Sequence, residues 1–318
     1  MNRGDLEVRG FRAGDEIILA DEGRGPGERG LDEWAWKYPS FPDPRPLVVA
    51  DCGGAVEGWC GGRRVDLWDG RTTRPAAIVM ELEVAAERAG PNDLQRSLLQ
   101  RFVADMASEH RVVLAGAGVL GQLATSSISS EVVTLRRDRT GRASPGRLLY
   151  RAELGRDWEP RLDALWRRGS SRFGAALVRD AEQALRWFAG HPRTRWHRFV
   201  ILPRFGRPAA AWVVFELRDG VCRWVDLVWD SHHPGALVLA AHLSAGVAGQ
   251  FDAAAEEVVV GGDPEAVRRL ERLGFSRRAT SEAVMEVADP AAVSGARALS
   301  EMYLTAADVE LLAAEALI

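Results

Sequence analysis

Ile78-Val79-Met80-Glu81-Leu82-Glu83-Val84, followed by Ala85 to Pro91 and then Asn92 to Met106, reads as strand, loop and helix. In the helix, Leu94, Leu98, Leu99, Phe102, Val103 and Met106 recur at the spacing of one buried stripe. Asn92 suits an N-cap, Gln95 three residues on completes a capping box, and Pro91 keeps the helix from starting earlier. In the strand, Ile78, Met80, Leu82 and Val84 are expected on one face, with Glu81 and Glu83 on the other. Carboxylates on a strand that runs into a helix N-terminus mark a place where an α/β domain can hold an anionic ligand.

The 318 residues suffice for two domains of ordinary size, and 47% hydrophobic with 27% charged residues is an ordinary globular composition. A net charge of −4 argues against nucleic acid as a partner. Lys37 is the only lysine, and the arginine bias reads as GC-rich coding. Cys52, Cys60 and Cys222 have neither a disulfide framework nor a metal-ligand spacing, so no metal site is expected. Met1 to Arg12 is charged and lacks the apolar core of a signal peptide, and no apolar run is long enough to span a membrane. A reducing, cytoplasmic setting is the expectation.

The chain repeats one order of elements. A Trp-containing helix end, a proline turn, a hairpin, an acidic strand, a helix, a strand, a helix and a strand occur before Asp138 to Gly146 and again after it. Trp36 corresponds to Trp187, and Ala50–Trp59 to Leu202–Trp212. The expected hairpins turn at Asp51 to Gly54 and at Asp219-Gly220, with Ala55 to Gly61 a return strand and Val65 to Trp68 a separate edge. Gly116 to Ser130 reads as a short irregular helix before a strand at Glu131 to Arg136, and Ala306 to Leu317 as a terminal helix. The expected fold is α/β (α+β), in two domains at 1–146 and 147–318. Each would be a mixed, mostly antiparallel sheet flanked by helices.

This order resembles the GCN5-related N-acetyltransferase (GNAT) superfamily, in tandem. Carrying the resemblance are Phe11 to Asp15, Trp34 to Tyr38, and Val48 to Gly54 leading to Gly58. In the second half they are Leu185 to Trp187, Val225-Asp226-Leu227, Leu273 to Phe275 and Tyr303 to Asp308. The resemblance implies fourth and fifth strands that splay apart, with acetyl-CoA or another acyl-CoA in the gap. Its pyrophosphate would sit on backbone N–H groups at a helix N-terminus, here reached by Val84, Ala85, Arg88, Gly90, Asn92 and Leu94. It also implies a fourth-strand carboxylate as base toward a small-molecule amine, and a tyrosine that protonates the thiolate.

The loop departs from the family pattern. Glu87 to Leu94 keeps one glycine, Pro91 removes an N–H, and Asp93 brings a negative charge to the first helical turn. In the second half Asp230 to Gly235 replaces the loop. Glu81 and Glu83 are candidates for base and partner, or the solvated face of a half-buried strand. Asp226 is a third catalytic candidate, or one member of a structural ion pair. Three functions follow: an N-acyltransferase on a small amine such as an amino sugar or amino acid, a non-catalytic binding or scaffold protein, or a transferase that uses aminoacyl-tRNA.

Overall fold

A computed structural model describes residues 6–16, 35–38, 46–85, 93–138, 149–189, 195–289 and 302–309. Fourteen strands form one mixed sheet flanked by helices. In the first half these are β1 (Leu6–Gly10), β2 (Leu47–Cys52), β3 (Ala55–Trp68), β4 (Thr73–Val84), α1 (Asp93–Ser108), β5 (Val112–Gly116) and β6 (Ser126–Asp138). The second half opens with β7 (Tyr150–Leu154), α2 (Arg161–Gly169), β8 (Ala175–Leu177) and α3 (Ala181–Phe188). It continues with β9 (His197–Pro203), β10 (Ala211–Arg218), β11 (Val221–Trp229), α4 (Pro234–Gln250), β12 (Ala255–Gly261), α5 (Pro264–Arg272), β13 (Ser276–Ala288) and β14 (Met302–Thr305).

Local signals explain several boundaries. Gly53-Gly54 and Asp219-Gly220 all have positive φ, which gives the tight turns of the β2–β3 and β10–β11 hairpins. Asp263 accepts the Ala266 N–H at 3.0 Å, Pro264 stands at the first position of α5, and Gly274 follows it at φ 90°. In α1, Leu98, Leu99, Phe102 and Met106 are the buried stripe, as their spacing requires. The Asn92 cap lies outside the described residues.

The strand order is β1-β2-β3-β4-β5-β13-β6-β12-β11-β10-β9-β7. Each half lends a strand to the other: β13 pairs with β5, and β6 pairs with β12. The division at 146/147 falls in a segment outside the described residues. On a second path β14 pairs with β12 and β8, and β8 with β3. The strands β3, β4, β5, β13, β6, β12, β14 and β8 therefore close into a ring. Its interior packs Val65, Leu67, Ile78, Met80, Leu114, Ile128, Met285 and Leu304.

Three expectations are corrected. β3 is one strand from Ala55 to Trp68, not a hairpin arm and a separate edge. Gly61 and Gly62 do not break it; they make room for Tyr38 and Phe102. β6 starts at Ser126, because its serines pair with β13, a strand about 150 residues away in sequence that no local signal announces. Finally, Ile78, Met80, Leu82 and Val84 do not share a face. Gly61 pairs with Glu81 and Gly62 with Val79, so Met80 is an extra residue and β4 bulges there. Ile78 and Met80 face the ring, whereas Leu82 and Val84 join Ala77 and Val79 beneath α1.

Candidate active site

The bulge positions the chemistry. It reverses the side-chain alternation of β4, so Glu81 lies on the ring face directly after Met80. Its carboxylate is half-buried and doubly held. Tyr38 Oη donates to Oε2 at 2.6 Å, and Lys37 Nζ donates to Oε1. Both donors come from the segment that precedes β2, and residues 35–37 are helical. Burial, reinforced by the charge of Glu81 and the hydrogen bond to it, holds the Tyr38 phenol well above its ordinary range. Tyr38 is thus a hydrogen-bond donor at neutral pH. Glu83 lies on the same side and is exposed.

Beside this carboxylate the sheet opens. β4 pairs with β5 in parallel only over Ala76–Ile78, and the strands part beyond it. Among the described residues no strand enters this gap. Val84, Leu94, Val119 and Leu123 are partly buried against the core beneath it. Ala85 ends the strand with its N–H committed to Glu57 O at 2.8 Å. Arg88, Gly90 and Asn92 lie outside the described residues. Asp93 places its acid in the first turn of α1, and Arg96 Nη2 reaches Gln122 beyond β5.

The second half repeats the geometry with different contents. Val214 pairs with Asp226 and Phe215 with Trp224, so Val225 is the extra residue of β11 and Asp226 stands where Glu81 stands in β4. β11 pairs with β12 only from Val221 to Trp224 and then departs. Here β14 enters the gap and leaves beside it a cavity lined by Arg179, Trp187, Trp212, Asp226 and Asp308. β14 pairs along the vacated edge of β12, Val260 with Thr305 and Gly261 with Leu304, and Tyr303 Oη donates to Leu227 O on β11. Asp226 itself is 4% exposed and accepts from Arg179 Nε at 2.8 Å. Arg179 also donates to Asp308, which accepts the Thr305 N–H at 2.7 Å. Burial raises the Asp308 carboxyl against the opposing pull of Arg179. Asp230, at the end of β11, holds Arg168 at 3.0 Å and accepts the His232 N–H at 3.0 Å. The structure therefore does not bring Asp226 together with Glu81; it places them at equivalent points of two different sites.

Sequence reasoning missed Lys37 and Asp308 as site residues and missed Arg63 and Arg179 altogether. The sole lysine was the available signal. Tyr303, one of the three tyrosines of the chain, is fully buried and bonded to a backbone carbonyl. Among the described residues no cluster of three or more metal-ligating side chains occurs, and no helix is long and apolar enough to cross a membrane.

No protein-family model matches the chain, and no curated protein matches it in sequence. Solved structures do. A GCN5-related N-acetyltransferase from Anabaena variabilis superposes with a TM-score of 0.66 at 10% identity, covering 90% of this chain and 73% of that one. One from Kribbella flavida gives 0.66 at 16% identity, covering 89% and 70%. N-myristoyltransferase of Saccharomyces cerevisiae, solved with bound myristoyl-CoA, gives 0.58 at 12% identity over 89% of this chain and 80% of that one. At such identities the likeness establishes the fold: this chain has the α/β fold of the GCN5-related N-acetyltransferases.

Proposed function

We propose that the first half is an acyl-CoA-dependent N-acyltransferase site for a small-molecule amine, with acetyl-CoA or another acyl-CoA as donor. One observation carries the reading: a bulged β4 presents Glu81, fixed by Lys37 and Tyr38, beside a gap that no described strand fills. The acyl chain and its thioester would run along Val79 to Val84. The amine attacks the thioester carbonyl, the C–N bond forms, the C–S bond breaks with CoA leaving as its thiolate, the amine proton passes to the Glu81 carboxylate, and the thiolate takes its proton from solvent. Tyr38 keeps its own proton and fixes the carboxylate in place. Glu83, exposed on the same side, is the second acid available to an incoming ammonium group. Arg88, Gly90 and Asn92 remain the proposed phosphate contacts, with Val84, Ala85 and Leu94 beside them.

In this reading the chain is a tandem pair, 1–146 and 147–318, working in the cytoplasm. The second half is a structural partner whose gap is closed by its own tail, and Asp226 is a member of that closure rather than a second base. Acyl transfer is tested by following thiol release from acetyl-CoA and longer acyl-CoAs against a panel of amines, with calorimetric titration of each donor. Saturable binding and turnover are expected. The absence of heat at millimolar donor overturns the proposal and leaves a non-catalytic binding protein. Asp93, whose charge opposes a pyrophosphate at the start of α1, favours that second reading.

A further inference from the structure

Arg63 is the least compensated charge near this site. It lies on β3 with Val65 and Leu67, on the face that looks into the ring, two residues from the Gly61 that pairs with Glu81. It is 3% exposed. Its guanidinium carbon lies 5.2 Å from the Trp36 ring centroid and 4.4 Å from that of Trp187. Nη2 donates to the Arg186 carbonyl, whereas Nε and Nη1 have no hydrogen-bond partner among the described residues. Burial, with the nearby Arg186 charge, pushes the group down to about 9, and Tyr38 pulls it back up. Arg63 is therefore still a cation at neutral pH. Among the described residues no carboxylate is bonded to it.

A buried cation with unused donors is costly, and most folds avoid it or pair it. Two indoles can stabilise its faces, but they leave its in-plane N–H groups unanswered. Either edge of such a guanidinium, Nε or Nη1 together with the second Nη2 proton, can take one planar anion. One charge on Arg63 balances one negative charge, which a carboxylate supplies and a phosphate dianion exceeds. The segment Trp36 to Tyr38 joins the two centres, since the Trp36 ring lies over the Arg63 guanidinium and the Tyr38 hydroxyl binds Glu81. We infer that Arg63, between Trp36 and Trp187, binds a carboxylate of the acceptor, so that the amine acylated beside Glu81 belongs to an amino acid. This rests on the acyltransferase reading for its amine, though not for its anion.

The test uses the full chain and matched probes: 4-aminobutyrate and phenylalanine against their uncharged amides, each with and without acyl-CoA. The amino acids are expected to raise Tm and to quench tryptophan fluorescence, and the amides to do neither. Arg63→Met should abolish both responses. Without ligand it should melt above the parent chain, because it removes an uncompensated buried charge. A merely structural arginine would instead melt lower when replaced. Arg63→Lys keeps the charge without the planar fork and should bind the amino acids at least tenfold more weakly. In turnover, KM for amino acids should rise in Arg63→Met, and the preference for amino acids over their amides should be lost. Acyl transfer that ignores the carboxylate, or amino-acid binding unchanged in Arg63→Met, overturns the inference and leaves the acyltransferase standing. Arg63-dependent binding without any acyl transfer does the reverse.

Discussion

Glu81 and Asp226 occupy the same point of a repeated fold and have opposite surroundings. Each follows a one-residue bulge, in β4 and in β11, next to a parting from the following strand, β5 or β12. Across the bulge from Glu81 stand Gly61 and Gly62; across from Asp226 stand Val214 and Phe215. Side-chain volume is missing in the first half, and Tyr38 and Phe102 use the space. In the second half Phe215 fills its own space, and β14 enters the gap. The backbone supplies the position of a carboxylate. Whether that carboxylate meets a ligand depends on what the rest of the chain puts around it.

The sharpest way to break this comparison is to neutralise both acids in turn. Glu81→Gln should lower kcat by about 10²–10⁴-fold, the range for loss of a general base, with little change in Tm. Asp226→Asn should leave kcat within about threefold and lower stability instead. Equal kinetic losses from both would show that the second site is also chemical. Next in size is Arg179→Met, which strands the buried Asp226 and Asp308 without their cation. A loss of about 3–5 kcal/mol is expected from urea unfolding. An unchanged urea midpoint would mean that the tail is not held by this network.

The sequence made the repeat legible through ordered short signals. The correspondence of Trp59 with Trp212 holds in the strands, opposite Glu83 and Val228 respectively. Glu81 and Asp226 were also visible, as acids on strands that lead into helices. The bulges were not, because an extra residue such as Met80 has no composition of its own, and its reversal of faces shows only in the pairing. Nor was the exchange of β6 and β13, which depends on contacts between halves. Arg63 reads in sequence as one of two arginines after a Gly-Gly pair. Only folding reveals that it is buried between indoles.

A smaller effect sharpens the role of the glycine pair. A Cβ at residue 61 would lie 2.6 Å from the Tyr38 hydroxyl and 2.8 Å from Leu47 Cδ2. Gly61→Ala should therefore displace Tyr38 from Glu81 and cost about 1–3 kcal/mol in stability. Its kinetic signature should resemble that of Tyr38→Phe, which removes the same hydrogen bond without the crowding. Measured together, the two variants separate space from bonding. If Gly61→Ala lowers stability but leaves kcat untouched, Tyr38 does not position the carboxylate.

The smallest predicted effect lies at the end of β11, where Asp230 occupies the place that Ala85 has after β4. Burial raises its carboxyl, but the His232 N–H, the Arg168 guanidinium and the His232 ring together outweigh it, and the net shift is downward from the ordinary 3.8. A lowered folded value means that the native state binds the proton less readily than the unfolded chain. The stabilisation is then present above about pH 4 and is lost as the pH falls through the folded value. Asp230→Asn should be slightly less stable at neutral pH, lose stability less steeply below about pH 4, and meet the parent chain at the acid end. Urea midpoints from pH 7 down to pH 2 would reveal that convergence. Parallel curves would mean that Asp230 contributes no pH-linked stability and that its contacts to Arg168 and His232 do not hold the closed end of the second half.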